Sequence, residues 1–148
     1  MTWNWWNCHD ELRDNDQKEN GYESVTYEWI PIRPRWRGCD WIKPDDITAD
    51  FTGETLLEFT VNDDAIVYVG HDEKIVKKPA WLADWKDTGE AVLGGYLGTE
   101  HSFRLFEKAF PKNAKVKLGP NGERPKDPRT GRPEGWIYIT IVKRSSAR

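Results

Sequence analysis

Nine tryptophans in a chain of 148 residues constrain its fold more than any other feature of the sequence. Tryptophan has the largest apolar side chain, and a domain of this length can bury only a few of them well. An indole left exposed to water is kept mainly for a ligand with a flat apolar face, such as a sugar ring or a base. We therefore expect most of these side chains in the core and about two or three partly exposed.

Length and charge restrict the classes of partner. One domain, residues 1–148, fits this length, and a net charge of −3 argues against a nucleic-acid-binding surface. No stretch is apolar enough to cross a bilayer, and the N-terminus does not have the pattern of a signal peptide. We expect neither nucleic acid nor membrane as a partner, and either a cytoplasmic chain or a domain of a longer secreted protein.

Alternating apolar and polar residues predict short β-strands along most of the chain. Residues 25–29 alternate in this way, and residues 57–61 and 65–69 are predicted to pair as a hairpin. The run at 136–142 is apolar on both faces and predicts a central strand. About seven to nine such strands with turns between them predict an all-β fold, an antiparallel β-sandwich of jelly-roll type.

Polar and glycine-rich segments predict the irregular parts. Residues 1–21 are expected to form an irregular arm that carries three of the tryptophans, and residues 94–98 a loop. Residues 119–135 predict a long exposed loop, which in a compact domain is functional or mobile. Cys8 and Cys39 form one disulfide in an extracellular domain or remain two thiols in a reducing cell.

Short motifs follow one another in a fixed order after Gly38. They are CDWI at 39–42, AIVYVGHD at 65–72, PAWL at 79–82, DTG at 87–89, FRLF at 103–106, KVKLG at 115–119 and WIYI at 136–139. This ordered set resembles the β-sandwich accessory modules of secreted bacterial polysaccharide lyases and glycoside hydrolases. The resemblance implies a non-catalytic module outside the cell that binds a polysaccharide or oligosaccharide, or packs on a parent catalytic domain.

Arg35, Trp36 and Arg37 are the first candidate carbohydrate-binding residues. An indole stacks on the apolar face of a pyranose, and guanidinium groups hydrogen-bond its hydroxyls or an anionic substituent. The alternative is that Trp36 fills the core while the arginines pair with acidic residues of the arm.

His71, Lys77 and Trp85 complete the candidate set. His71 is predicted at the rim of a site at a strand end, and Lys77 lies in the basic run before Pro79. Pro79 can begin a helical turn that places Trp81 and Trp85 on one face. Trp81 is interpreted as structural, Trp85 is open between core and ligand, and a solvated loop is the alternative for His71.

Neither a cofactor nor catalysis is predicted. Oxygen-rich groups at Asp14–16, Asp45–50 and Asp63–64 leave a structural calcium open, although none has EF-hand spacing. No nucleophile elbow, phosphate-binding loop or zinc motif is present, and the histidines are scattered. We therefore expect a carbohydrate-binding module that is not an enzyme. The alternative is a structural or protein-docking module of a multidomain or oligomeric carbohydrate-active protein.

Overall fold

The structure is a computed structural model that describes residues 8–9, 17–20, 23–29, 39–42, 46–96 and 99–145, with side chains at 39, 42, 48–93 and 101–145. Its strands are β1 Cys8–His9, β2 Gln17–Asn20, β3 Glu23–Trp29, β4 Asp40–Ile42, β5 Leu57–Thr60, β6 Ala65–Asp72, β7 Lys86–Tyr96, β8 Thr99–Phe110, β9 Lys115–Leu118 and β10 Ile139–Arg144. Within these segments two short 3-10 turns, Asp46–Asp50 and Ala80–Asp84, lie between strands. No helix in the described segments has the length and hydropathy to span a membrane.

The strands form two antiparallel sheets. Eight strands make the larger sheet in the order β1-β4-β10-β6-β8-β7-β3-β2, and β5 pairs with β9 in the smaller one. β10 lies between β4 and β6, so the strand predicted from the apolar run near the C-terminus is central. The predicted all-β antiparallel sandwich is confirmed.

Side chains of the central strands alternate between two apolar clusters. On β6, Val67 and Val69 belong to the main core, which also contains Leu57 of β5 and Leu118 of β9. Tyr68, between the two valines, belongs to a second cluster on the opposite face of the large sheet. Because successive side chains of a strand point to opposite faces, the large sheet is buried on both sides near its centre.

The predicted hairpin of residues 57–61 with 65–69 is wrong. β5 pairs with β9, whereas β6 pairs with β8 and β10. The turn at 62–64 therefore carries the chain from one sheet to the other. Both strands alternate apolar and polar residues and bury their apolar faces in the same core. That pattern is the same for two strands in opposite sheets and for two neighbours in one sheet.

Two segments predicted as irregular contain strand. Gly94 and Gly95 of the predicted loop pair with His101 and Glu100 in a long β7–β8 hairpin. Within the predicted arm, β1 pairs with β4, and β2 pairs with β3. Backbone pairing with a neighbouring strand stabilises these polar and glycine-rich stretches in spite of their weak strand propensity.

The strand register does not fit a disulfide between the two cysteines. Cys8 of β1 lies opposite Ile42 of β4, three residues along the chain from Cys39. At ~3.3 Å per residue this offset is roughly 10 Å, beyond the ~7 Å limit between bridged Cα atoms. Cys39 is buried in the second cluster, so apolar packing surrounds it.

Candidate functional site

One buried asparagine fixes the long loop at both ends. The Asn121 side chain accepts a hydrogen bond from the Tyr138 backbone N–H at 3.1 Å and donates to the Trp136 carbonyl at 3.0 Å. The Tyr138 hydroxyl donates to the Gly119 carbonyl at 2.8 Å. Because an amide side chain both donates and accepts, Asn121 joins the start of the loop to the segment that leads into β10.

His71 holds the same asparagine from the end of β6. Its side chain is fully buried, with Nε2 2.6 Å from the Asn121 carbonyl oxygen and Nδ1 2.9 Å from Lys78 Nζ. A carbonyl only accepts and an ammonium group only donates, so these bonds assign a neutral ring with its proton on Nε2. Burial lowers the pKa of His71 to about 4, which also favours the neutral ring.

Asp72 and His101 form a second buried pair. His101 Nδ1 donates to Asp72 Oδ2 at 2.7 Å, and the His101 ring stacks on Trp136 with centroids 3.8 Å apart. Asp72 also accepts hydrogen bonds from the backbone N–H groups of Lys74 and Trp136, both at 2.9 Å. Burial raises the pKa of Asp72, but these hydrogen bonds outweigh burial and hold the pKa below its usual range.

Trp81 and Trp85 support the loop from the second 3-10 turn. Their rings meet edge to face with centroids 6.1 Å apart, which confirms the predicted turn and its shared face. Trp81 Nε1 donates to the Pro120 carbonyl at 2.7 Å. A Cβ at Gly119 would lie 2.5 Å from Trp81 Cδ1, so only glycine permits this approach. The structural interpretation of Trp81 is confirmed.

A groove lies between the first 3-10 turn and the long loop. Its volume is about 470 Å³, within the ~300–1,000 Å³ typical of ligand pockets. It is lined by Asp50, Phe51, Thr52, Pro120, Gly122, Glu123, Arg124, Lys126 and Pro133. Two segments that are remote in sequence therefore form its walls, and the contacts of Asn121 and Trp81 position one of them.

An aromatic ring and a planar ion pair lie side by side in this groove. Phe51 is half-buried and packs against the main core, and a Cβ at Gly53 would collide with its ring. Arg124 donates from Nε to Asp50 Oδ1 at 3.0 Å and from Nη2 to Oδ2 at 2.6 Å. Its Nη1 donates to the Gly135 carbonyl at 3.2 Å. The groove thus offers an apolar surface together with fixed hydrogen-bonding groups.

The groove lining is suited to stacking and hydrogen bonding. The carboxylates among its described side chains are Asp50 and Glu123, and Arg124 already holds the Asp50 carboxylate. Asp72 and His101 are buried, so a polysaccharide in solution does not contact this pair. Among the side chains that the structure describes, no group of three or more His, Cys, Asp or Glu could hold a metal ion.

The acidic turns considered for calcium have partners of their own where they are described. Asp63 Oδ1 accepts from the Asp64 backbone N–H, and Asp64 Oδ1 accepts from the Lys112 backbone N–H, both at 2.8 Å. Asp50 pairs with Arg124. Residues 14–16 and 45 lie outside the described segments.

The predicted carbohydrate-binding residues are not brought together by the described structure. Arg35, Trp36 and Arg37 lie outside the described residues. His71 is fully buried and Trp85 is 8% exposed, so neither position fits the predicted contact with a glycan. His71 lies in the interior because it hydrogen-bonds the Asn121 carbonyl of the long loop. Trp85 lies there because it packs on Phe110, with the ring centroids 5.9 Å apart.

Lys77 is exposed, and its carbonyl lies beside Gly122 of the groove wall. The sequence did not indicate Phe51 or Arg124 as site residues, and it indicated Asp50 only for calcium. The signal available in the sequence was the proline-rich, charged stretch at 124–127 in the long loop. Nothing in it indicates that Arg124 pairs with a residue 74 positions earlier.

Comparison with known proteins identifies a similar fold in a much larger enzyme. No protein-family model and no curated protein sequence matches this chain. Among solved structures, it is similar to a β-glucuronidase from glycoside hydrolase family 2, with a TM-score of 0.70 and 17% sequence identity. The match covers 94% of this chain and 13% of the enzyme chain. The chain is thus similar in fold to a domain-sized β-sandwich portion of a glycoside hydrolase.

Proposed function

We propose that this chain is a non-catalytic carbohydrate-binding module and that the groove between the first 3-10 turn and the long loop binds a polysaccharide or oligosaccharide. The observation that carries the proposal is the position of Phe51 beside the Asp50–Arg124 pair in one groove. Sugar recognition requires such a combination, because the ring stacks on C–H groups while planar polar groups pair with hydroxyls.

The fold similarity supports this function. The match covers 13% of the β-glucuronidase chain. A β-sandwich of that size corresponds to one accessory domain next to a catalytic domain. Binding at the groove can be measured on this chain alone, because every residue of the groove lining belongs to it. As a module of a secreted carbohydrate-active protein, the chain acts outside the cell and has a parent catalytic domain as its second partner.

The exposed apolar side chains among the described residues bear on the docking alternative. Within residues whose side chains are described, the exposed large apolar ones are Val76 at 85% and Leu93 at 37%. Docking onto another domain requires a broad apolar patch with a polar rim. Val76 in a loop and Leu93 in β7 do not supply such a patch within this part of the chain, and the side chains of residues 1–37 lie outside it.

The test measures binding to a panel of neutral and anionic polysaccharides by affinity electrophoresis and isothermal titration calorimetry. Phe51→Ala should weaken binding by about tenfold or more, because loss of one stacked aromatic removes roughly 1–3 kcal/mol. Phe110→Ala is the matched control, since Phe110 is also half-buried against the main core but lies outside the groove.

Folding of both variants is checked by circular dichroism. Equal binding by the wild-type protein and Phe51→Ala would show that the groove is not the site. Failure of the wild-type protein to bind any glycan in the panel would reject the carbohydrate-binding function and favour the docking alternative.

A further inference from the structure

We infer that the groove selects a neutral sugar unit and discriminates against uronate or sulfated sugars. This inference rests on the proposed function and specifies its ligand class. Its basis is the charge of the groove lining, whose described side chains include two carboxylates, Asp50 and Glu123, and two cations, Arg124 and Lys126. Their formal charges cancel, so the lining has no net attraction for an anion.

Arg124, one of the two cations in the lining, is already paired. Its guanidinium holds the Asp50 carboxylate through two hydrogen bonds and the Gly135 carbonyl through a third. The Arg124 side chain is 19% exposed, whereas Asp50 is 68% exposed. A ligand entering from solvent therefore meets the carboxylate of this pair more readily than the guanidinium.

The pair retains hydrogen-bonding capacity that matches hydroxyl groups. A guanidinium has five N–H donors, and a carboxylate has about four acceptor sites, so both partners keep free positions. A sugar hydroxyl both donates and accepts, and two adjacent hydroxyls can use the acceptors of Asp50 and the remaining donors of Arg124 together. A sugar carboxylate only accepts, and it would be repelled by Asp50 at short range.

Lys126 and Glu123 do not alter this balance. Both are exposed in the loop wall of the groove, and no ion pair with either is formed among the described side chains. An anion attracted to Lys126 would also approach Glu123, because the two line the same groove. Phe51 contributes an uncharged surface that stacks equally well on either kind of sugar.

The test compares neutral and charged probes of equal length. Cellohexaose, xylohexaose and mannohexaose are the neutral probes, and hexagalacturonate and hexaguluronate are the charged ones, each titrated at low and high salt. We expect the wild-type protein to bind at least one neutral probe with an affinity that does not depend on salt, since no counterion is released or screened.

Asp50→Asn is the decisive variant. It preserves the size of the side chain but leaves Arg124 without its counter-charge, so the groove gains one net positive charge. We expect neutral-probe affinity to fall by about fivefold or more and charged-probe affinity to rise by roughly tenfold, with new salt dependence. Asp87→Asn is the matched control, because it breaks another bidentate arginine pair, with Arg104, outside the groove.

The outcomes separate this inference from the proposed function. If the wild-type protein prefers hexagalacturonate or hexaguluronate and Phe51→Ala abolishes that binding, the groove is a glycan site and the neutral selectivity is wrong. If Asp50→Asn changes both probe classes no more than Asp87→Asn does, the ion pair does not set selectivity. If no probe binds and the wider glycan panel is also negative, the proposed function fails and this inference fails with it.

Discussion

Lowering the pH below the ordinary histidine pKa of 6.5 should destabilise this protein through His71. In the folded chain the ring is buried, its pKa is lowered to about 4, and its hydrogen bonds require the neutral form. In the unfolded chain the ring takes up a proton near pH 6.5. Between these values the unfolded state binds more protons, so the free energy of unfolding decreases as the pH falls.

The size of the effect follows from this interval. Each pH unit between 6.5 and about 4 changes the free energy of unfolding by about 1.4 kcal/mol, which gives about 3 kcal/mol in total. The contribution is complete above pH 6.5 and is lost as the pH approaches 4. Asp72 adds a further loss at lower pH, because its pKa is also held below its ordinary value in the fold.

Urea unfolding monitored by tryptophan fluorescence measures this dependence. His71→Gln removes the titrating ring, so the difference between the wild-type protein and this variant isolates His71 from the carboxylates common to both. We expect the difference to shrink by about 3 kcal/mol from pH 7 to pH 4. Parallel pH profiles for the two proteins, or a His71 pKa near 6.5 by nuclear magnetic resonance titration, would refute the reasoning.

Two further variants test how the loop is held. Asn121→Ala should lower the free energy of unfolding by about 2–4 kcal/mol, because it removes the buried hydrogen bonds to the Tyr138 N–H and the Trp136 carbonyl. Urea unfolding measures the change, with the exposed Asn62→Ala as the control. A decrease of less than about 1 kcal/mol would contradict the prediction. Gly119→Ala should lower the free energy of unfolding by about 1–3 kcal/mol, because the new Cβ would collide with the Trp81 indole. An unchanged thermal midpoint together with unchanged Trp81 fluorescence would contradict that contact.

The sequence predicts individual strands better than their partners. Alternation places Leu57 and Phe59 on one face of a strand, and Val67 and Val69 on one face of the next. Both faces point into one core, but alternation does not distinguish neighbours in one sheet from strands in opposite sheets. The observed pairing is decided by contacts with β9, whose paired residues lie 55 to 61 positions further along the chain.

The candidate site could be predicted only in its residue types. The sequence predicts an aromatic ring beside guanidinium groups, and it offers Trp85 and His71 among the candidate residues. Their burial depends on Phe110 and Asn121, which are distant in the sequence. Asp50 and Arg124 meet because the long loop folds back across the first 3-10 turn, and no local pattern encodes that return.

The anchoring of the long loop has a consequence for how recognition can be changed. Asn121 and Tyr138 fix its two ends to the β-sandwich. Residues 123–134 between them are mostly exposed and contribute four of the nine groove-lining residues. Substitutions or insertions at such a tip leave the buried hydrogen bonds intact. The domain can therefore serve as a constant framework for a randomised library, in which new ligand specificities are selected from one loop.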